Sequence, residues 1–266
     1  MMKKFYLILF LLLTRLVFST PINNSSLCFY IPHGIFFSDC NVVSMRAGYE
    51  GNFISDAKLK QTGPSSGRID NYEINCNSGT LTFNIKNIVD VFGVLGGSRI
   101  KANWRISPPL GGLTRIETET RYHFSWSAGG RVVIWHNEKT ALGITGRYFS
   151  TEPEISWLTS DGLPLIVRGG SICYDEWQVD FGLSHKIGIF VPYFGIKYSD
   201  ARSQINGLPN DVLISNSGAN TLKMNRRNHV GGFIGVTLTN GCKFLVNIEA
   251  RLADEEAATV SGQFRF

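Results

Sequence analysis

Beyond its first twenty residues the sequence has no apolar run approaching the ~20 residues a membrane helix needs, which excludes helical spans and leaves a membrane-crossing sheet open. It also lacks the short patterns that carry common chemistry: no G-x-S-x-G, H-E-x-x-H or P-loop occurs. Its five cysteines, Cys28, Cys40, Cys76, Cys173 and Cys242, form no C-x-x-C pair and no Cys/His set at zinc spacing. Of the five histidines, His123 shares a parity with Ser125 and Ser127, a pairing that would suit nucleophilic chemistry, but hydroxyls are too common here for it to mark a site. No enzyme activity and no catalytic, cofactor-binding or metal-binding residue is therefore assigned. No basic cluster with interleaved aromatics is present to neutralise phosphates, so nucleic acid is not an expected partner. Without a Pro/Ser linker or a break in composition, one domain is expected.

The first twenty residues carry an export signal. Lys3 and Lys4 form the positive region, Phe5 to Leu13 the apolar region, and Val17-Phe18-Ser19 the small or β-branched residues before a cut placed after Ser19. A cut one residue later would set Pro21 directly behind the scissile bond. The apolar run is too short to anchor, and Arg15 interrupts it. Removing Lys3, Lys4 and Arg15 takes the formal charge from +5 to +2, so the exported chain is only mildly basic. The expected division is a cleaved signal at 1–19, an N-terminal segment at 20–41 and a main unit from 42 to 266. Segment 20–41, with mixed pattern and two cysteines, is expected to fold into the lumen as a partial plug. An odd cysteine count in an exported chain leaves at least one thiol free or paired between chains.

The main unit alternates. Tyr122, Phe124, Trp126, Ala128, Gly130, Val132 and Ile134 lie on one parity, against Arg121, His123, Ser125, Ser127, Gly129, Arg131 and Val133 on the other. A period of two held this long exceeds the ~5 to 6 residues of an ordinary strand and suits the ~9 to 11 of a tilted membrane strand. Val43, Met45, Ala47, Tyr49 and Phe53 likewise oppose Ser44, Arg46, Glu50 and Asn52. Trp177, Val179, Phe181 and Leu183 oppose Glu176, Gln178, Asp180 and Ser184. Asn247, Glu249 and Arg251 sit between Phe244, Val246, Ile248, Ala250 and Leu252. One face suits lipid and the other water. A soluble sandwich would alternate too, but the glycines on the strands and the export signal favour a barrel. Trp104, Trp135, Trp157, Tyr148, Tyr193 and Tyr198 are candidates for interfacial girdles.

Candidate strands fall near 42–54, 67–77, 79–87, 89–101, 117–136, 139–152, 171–187, 189–203, 224–239, 242–254 and 257–266, with 102–116 and 204–223 as loops and Asn240-Gly241 as a tight hairpin. Even strand numbers are the rule in bacterial barrels, so the fold expected is an all-β, closed antiparallel transmembrane β-barrel of about 12 strands, or 10. At the C-terminus Ala258, Val260, Gly262, Phe264 and Phe266 alternate with Thr259, Ser261, Gln263 and Arg265. A last amphipathic strand ending in Phe is the form that outer-membrane assembly machinery reads, so Phe264 and Phe266 are assigned as the assembly signal.

Several tracts resemble the major outer membrane porin of chlamydiae and their relatives. Near the start these are Ser44-Met45-Arg46 with Gly48-Tyr49, Gly51, Phe53, Asp56 and Leu59-Lys60. Then come Asn84-Ile85 with Asp90-Val91-Phe92 and Leu95-Gly96, and Phe124-Ser125-Trp126-Ser127 with Gly129, Arg131 and Trp135. Glu176-Trp177-Gln178, Pro192-Tyr193, Gly195, Lys197, Arg251-Leu252, Asp254-Glu255 and the ending Gln263-Phe264-Arg265-Phe266 complete the order. The resemblance implies a homotrimeric porin of the bacterial outer membrane, passing small hydrophilic solutes, in contact with outer-membrane lipid and disulfide cross-linked to other envelope proteins. This chain is much shorter than the typical member, which implies trimmed loops or fewer strands. Gly93 stands where the family has a cysteine, His136-Asn137-Glu138 replaces a cysteine-bearing turn, and Cys40 still fits the pattern, so cross-linking through these cysteines is thinner.

A porin selects solutes by the charged rim of its constriction. The lumen-facing charges expected from parity are Arg46, Glu50, Arg121, Arg131, Arg147, Glu176, Asp180, Lys186, Lys197, Lys243, Glu249, Arg251 and Arg265. Nine are basic and four acidic, which predicts weak anion preference. The alternative is a non-conducting structural or adhesive barrel, whose inward charges pair across strands and fill the lumen.

Overall fold

The computed structural model describes residues 23–26, 43–62, 68–106, 113–167, 169–209, 221–240 and 243–266. The signal, most of segment 20–41, Gly241 and three of the five cysteines (Cys28, Cys40, Cys242) lie outside the described residues. The described secondary structure is all β. The strands are β1 (Val43–Asp56), β2 (Leu59–Thr62), β3 (Arg68–Ile85), β4 (Val89–Ile106), β5 (Thr114–Thr120), β6 (His123–His136), β7 (Thr140–Thr151), β8 (Ile155–Ser160), β9 (Leu163–Pro164), β10 (Ser171–His185), β11 (Phe190–Asn206), β12 (Thr221–Arg226), β13 (Val230–Thr239), β14 (Phe244–Leu252) and β15 (Glu256–Arg265).

Ten of these close a barrel. Around the ring the order is β1, β3, β4, β6, β7, β10, β11, β13, β14, β15 and back to β1, with every neighbouring pair antiparallel. The closing pair runs from Arg46↔Arg265 to Asp56↔Glu256. The expected closed antiparallel barrel is present at the lower of the two strand counts. The higher count came from taking Asn77-Ser78-Gly79 as a turn. β3 instead runs straight through it, with Gly79 opposite Tyr49 on one side and Leu95 on the other. Segments 117–136 and 224–239 each break, at Arg121-Tyr122 and at 227–229. The stretches expected as loops are partly strand, since β4 reaches Ile106, β5 starts at Thr114 and β12 at Thr221.

The two ends of the barrel differ. Both barrel termini, Val43 and Phe266, sit at one end, where Phe266 N–H donates to Met45 O at 2.8 Å. The connections there are short: residues 86–88, 137–139, 186–189 and 240–243. At the other end four of the five connections are longer, and they contain β2, β5, β8, β9 and β12. Short turns face the periplasm and long loops face outward in bacterial barrels, which orients this one.

Strand length explains the outer end. β3 and β4 have 18 residues each, β11 has 17 and β10 has 15, well beyond the ~9 to 11 that cross a bilayer. The surplus projects past the lipid and its amphipathicity inverts. On β3 the inward side chains run Asn84, Thr82, Thr80 and Ser78, then change to Cys76, Ile74 and Tyr72, while Asn75, Glu73 and Asn71 turn outward. β4 makes the same change from Ser98 to Ile100, Ala102, Trp104 and Ile106. These residues join Leu59 of β2, Ile116 of β5, Phe149 of β7, Leu158 of β8, Ile172 and Tyr174 of β10, Ile205 of β11, and Leu222 and Met224 of β12 in one apolar core inside the collar. Tyr174 stacks on Tyr72 at 5.8 Å between ring centroids.

Below the collar the outer surface is the lipid band. Tyr49, Phe83, Leu95, Phe194, Ile196, Ile234, Ile248, Val260 and Phe264 are all exposed. Of the expected girdle aromatics, Trp135, Trp157 and Tyr198 are exposed and Tyr148 is half-buried. Trp104 and Tyr193 are corrections: both point inward and are buried, the first in the collar core and the second against Phe233. Trp104 falls on the strand end where the inward face has become apolar, and Tyr193 carries a hydroxyl that finds a lumen acid.

Candidate functional site: the barrel lumen

The lumen of the spanning section is lined by the polar parity of ten strands. Ten of the thirteen charges expected there are buried and inward: Arg46, Glu50, Arg131, Arg147, Glu176, Asp180, Lys197, Glu249, Arg251 and Arg265. Three are corrections. Arg121 is exposed at the corner between β5 and β6, one residue beyond the reach of the strand's alternation. Lys186 and Lys243 sit in short periplasmic turns, where there is no face to alternate. Four further inward charges are not marked by parity: Asp90, Arg226, Asp254 and Glu255. The set of buried charges among the described residues is therefore seven basic and seven acidic. His123 is exposed while Ser125 and Ser127 are buried, so these three do not come together as a site.

From the periplasmic end, the first cluster centres on Asp90 of β4. It pairs with Arg46 of β1, lies 3.8 Å from Arg131 of β6, and accepts a 2.8 Å bond from Asn84 Nδ2. Phe92, inward on the same strand, lies under both Arg131 and Arg147, with guanidinium carbons 4.9 and 5.6 Å from the ring centroid. Arg265, on the last strand, donates to Asn87 Oδ1 in the β3–β4 turn at 3.0 Å.

At mid-height Arg147 of β7 clamps Glu50 of β1 with both terminal nitrogens, at 2.7 and 3.1 Å, and its Nε donates to Ser127 at 3.0 Å. The short segment Asn23–Ser26 crosses the lumen here. Asn23 donates to Glu50 at 2.9 Å and accepts from Asn247 and Ser261 at 2.8 Å each. Ser25 donates to Asp180 at 2.7 Å, and Asn24 to Thr237 at 3.4 Å. Room for Ser25 comes from Gly143 and Gly182, which face each other across β7 and β10. A Cβ on Gly143 would lie 2.5 Å from Ser25 O, and one on Gly182 2.9 Å from Ser25 Oγ. Beside this segment is a cavity of about 230 Å³, counted with the space open to solvent, lined by Glu50, Asn52, Cys76, Ser78, Ser127 and Arg147 among others.

The outermost cluster lies under the apolar collar. Arg226 pairs with Glu176 and lies 3.2 Å from Glu255. Lys197 contacts Asp254 at 2.8 Å and Glu255 at 2.5 Å, and Arg251 reaches Glu255 at 3.2 Å. Tyr174 and Tyr193 donate to Glu176 and Glu249 at 2.9 and 3.0 Å. Glu255 lies in the turn between β14 and β15. Burial pushes its carboxyl up, but Lys197, Arg251 and Arg226 outweigh that and hold it well below the usual range. Of the two cysteines described, Cys76 is buried in the collar core and Cys173 is half-buried on β10; both are free thiols.

Known proteins resemble this chain in sequence and in architecture. The family described as Chlamydia major outer membrane protein matches residues 166–209 and 199–266. A major outer membrane porin, serovar F, of Chlamydia trachomatis is 26% identical over 342 residues, covering 85% of this chain and 86% of that protein. The major outer membrane porin of Chlamydophila psittaci is 28% identical over 269 residues, covering 74% and 67%. The 342-residue alignment exceeds the 266 residues of this chain, so part of the difference is insertions in the longer relative. Among solved structures, the outer membrane protein OprG of Pseudomonas aeruginosa is similar at 11% identity, covering 84% of this chain and 95% of that one, with a TM-score of 0.35. The β-domain of the Bordetella autotransporter BrkA is similar at 11% identity, covering 85% and 99%, with a TM-score of 0.39.

Proposed function

Because this chain is a short relative of the chlamydial major outer membrane porins, resident in the bacterial outer membrane, we propose that it is a narrow porin through which small hydrophilic solutes diffuse passively. It is a non-enzymatic channel or structural protein in contact with membrane lipid. The observation that carries the reading is the lining of the spanning section, to which all ten strands contribute buried polar or charged side chains, interrupted by Phe92, Val133, Val191 and Phe233 and enclosed by a lipid-facing band. Buried polar atoms left without a protein partner, among them Ser125 Oγ, Asp180 Oδ2 and Arg46 Nη1, support a hydrated lumen, since such groups are normally satisfied by water. The seven-to-seven balance of buried charge supports weak ion selectivity in place of the anion preference expected from the sequence.

A second reading, a structural barrel that does not conduct, is favoured by the apolar core of the collar, which fills the outer mouth among the described residues. Single-channel recording of the refolded mature chain in a planar bilayer separates the two. Salt-dependent steps with a reversal potential near zero in a salt gradient support the porin. Inserted, heat-modifiable and silent protein supports the structural barrel and removes the porin.

The finer points of kinship are part of the same proposal. A signal cleaved after Ser19 exports the chain, and Phe264 and Phe266 present the last strand to the assembly machinery. The mature protein forms a homotrimer, segment 20–41 partly plugs the lumen, and cysteines among Cys28, Cys40, Cys76, Cys173 and Cys242 cross-link to other envelope proteins. The position of Asn23–Ser26 inside the lumen supports the plug.

A further inference from the structure

The outward face of the collar is not uniform. Around β3, β4, β5 and β8 its charges neutralise one another: Arg99 and Lys101 both meet Glu119, Arg105 meets Asp70 at 2.6 Å and Arg115 meets Glu117 at 2.8 Å. The sector of β11, β12 and β2 is different. Its register places Arg202, Asn225 and Lys60 in one row across three strands, and Gln204, Lys223 and Thr62 in the next. One step nearer the lipid, Arg227 N–H donates to Lys58 O at 2.9 Å, putting those two residues side by side. Strands lie about 4.8 Å apart and same-face residues about 7 Å apart, so five cationic side chains share a patch one headgroup could cover.

Among the described residues the acids beside them are Asp200, Glu256, Asp175, which faces Arg202 in the β10–β11 register, and Asp56, which accepts from Lys58 N–H at 2.9 Å. Asp200 lies 3.6 Å from Arg202, and Glu256 lies 2.9 Å from Lys58. Lys60, Lys223 and Arg227 are exposed and make no ion pair among the described residues. The patch ends on an aromatic belt that marks the lipid boundary. Trp177, paired in register with Tyr148, packs on Tyr198 at 5.2 Å, and Tyr198 stacks on His229 at 5.6 Å. The cations thus stand just beyond the outer interface, continuous with the lipid band, at the height where lipid phosphates sit.

We propose that the outward faces of β2 and β12, with the adjoining end of β11, form a docking site for phosphate-bearing lipid headgroups of the outer leaflet. Arg202 and Arg227 supply bidentate donors to phosphate oxygens, and Lys60 and Lys223 supply point charges around them. The belt of Trp177, Tyr198 and His229 holds the sugar or glycerol end of the headgroup at the boundary. The site rests on the outer-membrane location of the chain and not on whether it conducts.

The test is native mass spectrometry and salt titration of the refolded full chain in phosphatidylcholine nanodiscs doped with diphosphorylated lipid A. Each cation near an anionic lipid surface contributes enough for about a fivefold change in affinity, so neutralising Lys60→Gln, Arg202→Gln, Lys223→Gln and Arg227→Gln together should weaken lipid A retention by well over about tenfold. The pair Lys60→Arg and Lys223→Arg keeps the charge and should keep the binding. Retention by the parent chain that falls with salt, is lost in the fourfold variant and survives in the Arg pair establishes the site. Equal retention by the parent and the fourfold variant, loss in the Arg pair, or displacement of lipid A by millimolar inorganic phosphate each overturns it.

Discussion

Asp90 is the carboxylate on which two lumen arginines depend. It is fully buried, and Arg46 and Arg131 both approach it from strands on either side. Replacing Asp90 with alanine takes from Arg46 its paired carboxylate and from Arg131 one of its acidic neighbours. Removing one partner of a buried pair typically costs ~3 to 5 kcal/mol, much of it the penalty on the charge left behind. Asp90→Ala should therefore lower stability by about that amount in urea unfolding followed by heat modifiability. Adding Arg46→Met should recover a large part of the loss, because the remaining Arg131 keeps its contact with Phe92. The outcome that would contradict this is an alanine variant as stable as the parent. Asp90 also shows where parity reading fails at single residues. Its strand carries Phe92 and Val94 on the inward face, so the alternation there does not separate polar from apolar, and the acid is not marked as lumen-facing by sequence.

At the scale of the strand, the spanning sections were legible and their outer ends were not. β10, β14 and β15 present the faces their sequences imply, because lipid on one side and polar neighbours on the other impose a strict period of two. Beyond the lipid the outward face meets water and the inward face packs, so the same period persists with its sense reversed, and a reader of hydrophobicity alone loses the thread. Arg226 was missed for a related reason: the break at 227–229 shifts parity between β12 and β13, so even positions point inward before it and odd positions after it. Asp254 and Glu255 lie in a turn, where no alternation speaks. The C-terminal strand is the element whose role can be separated from its stability. Phe264 is outward and exposed, and Phe266 N–H donates to Met45 O at 2.8 Å. Deleting Phe266 should leave the refolded barrel heat-modifiable in detergent, because the ladders that close it run from Arg46↔Arg265 to Asp56↔Glu256 without that residue. The same deletion should sharply reduce outer-membrane insertion in cells, scored by membrane fractionation. Equal insertion of both forms would show that the terminal Phe is only packing.

For the whole molecule the question is what obstructs the lumen. Eight strands make a barrel filled by its own side chains and sixteen leave a channel, so ten strands sit close to the filled limit and small obstructions decide the outcome. Three are visible among the described residues: the segment Asn23–Ser26 at mid-height, the apolar collar core at the outer mouth, and the buried cluster of Val133, Ala141 and Val191 at the short-turn end. They can be told apart because the segment is seated on glycine. A valine at position 143 would collide with the Ser25 carbonyl, while Gly143 itself carries no polar group and lies between Gly182 and Val133 in the ladder. Gly143→Val should therefore unseat the segment and leave the barrel intact. If the segment is the main obstruction, single-channel conductance should rise by about twofold or more over the parent, in proportion to the lumen area freed. Unchanged conductance with intact heat modifiability would assign the obstruction to the apolar clusters at the two ends, the larger of them in the collar. There the apolar core excludes water, and a path for hydrophilic solutes would have to open between the collar strands and not along the barrel axis.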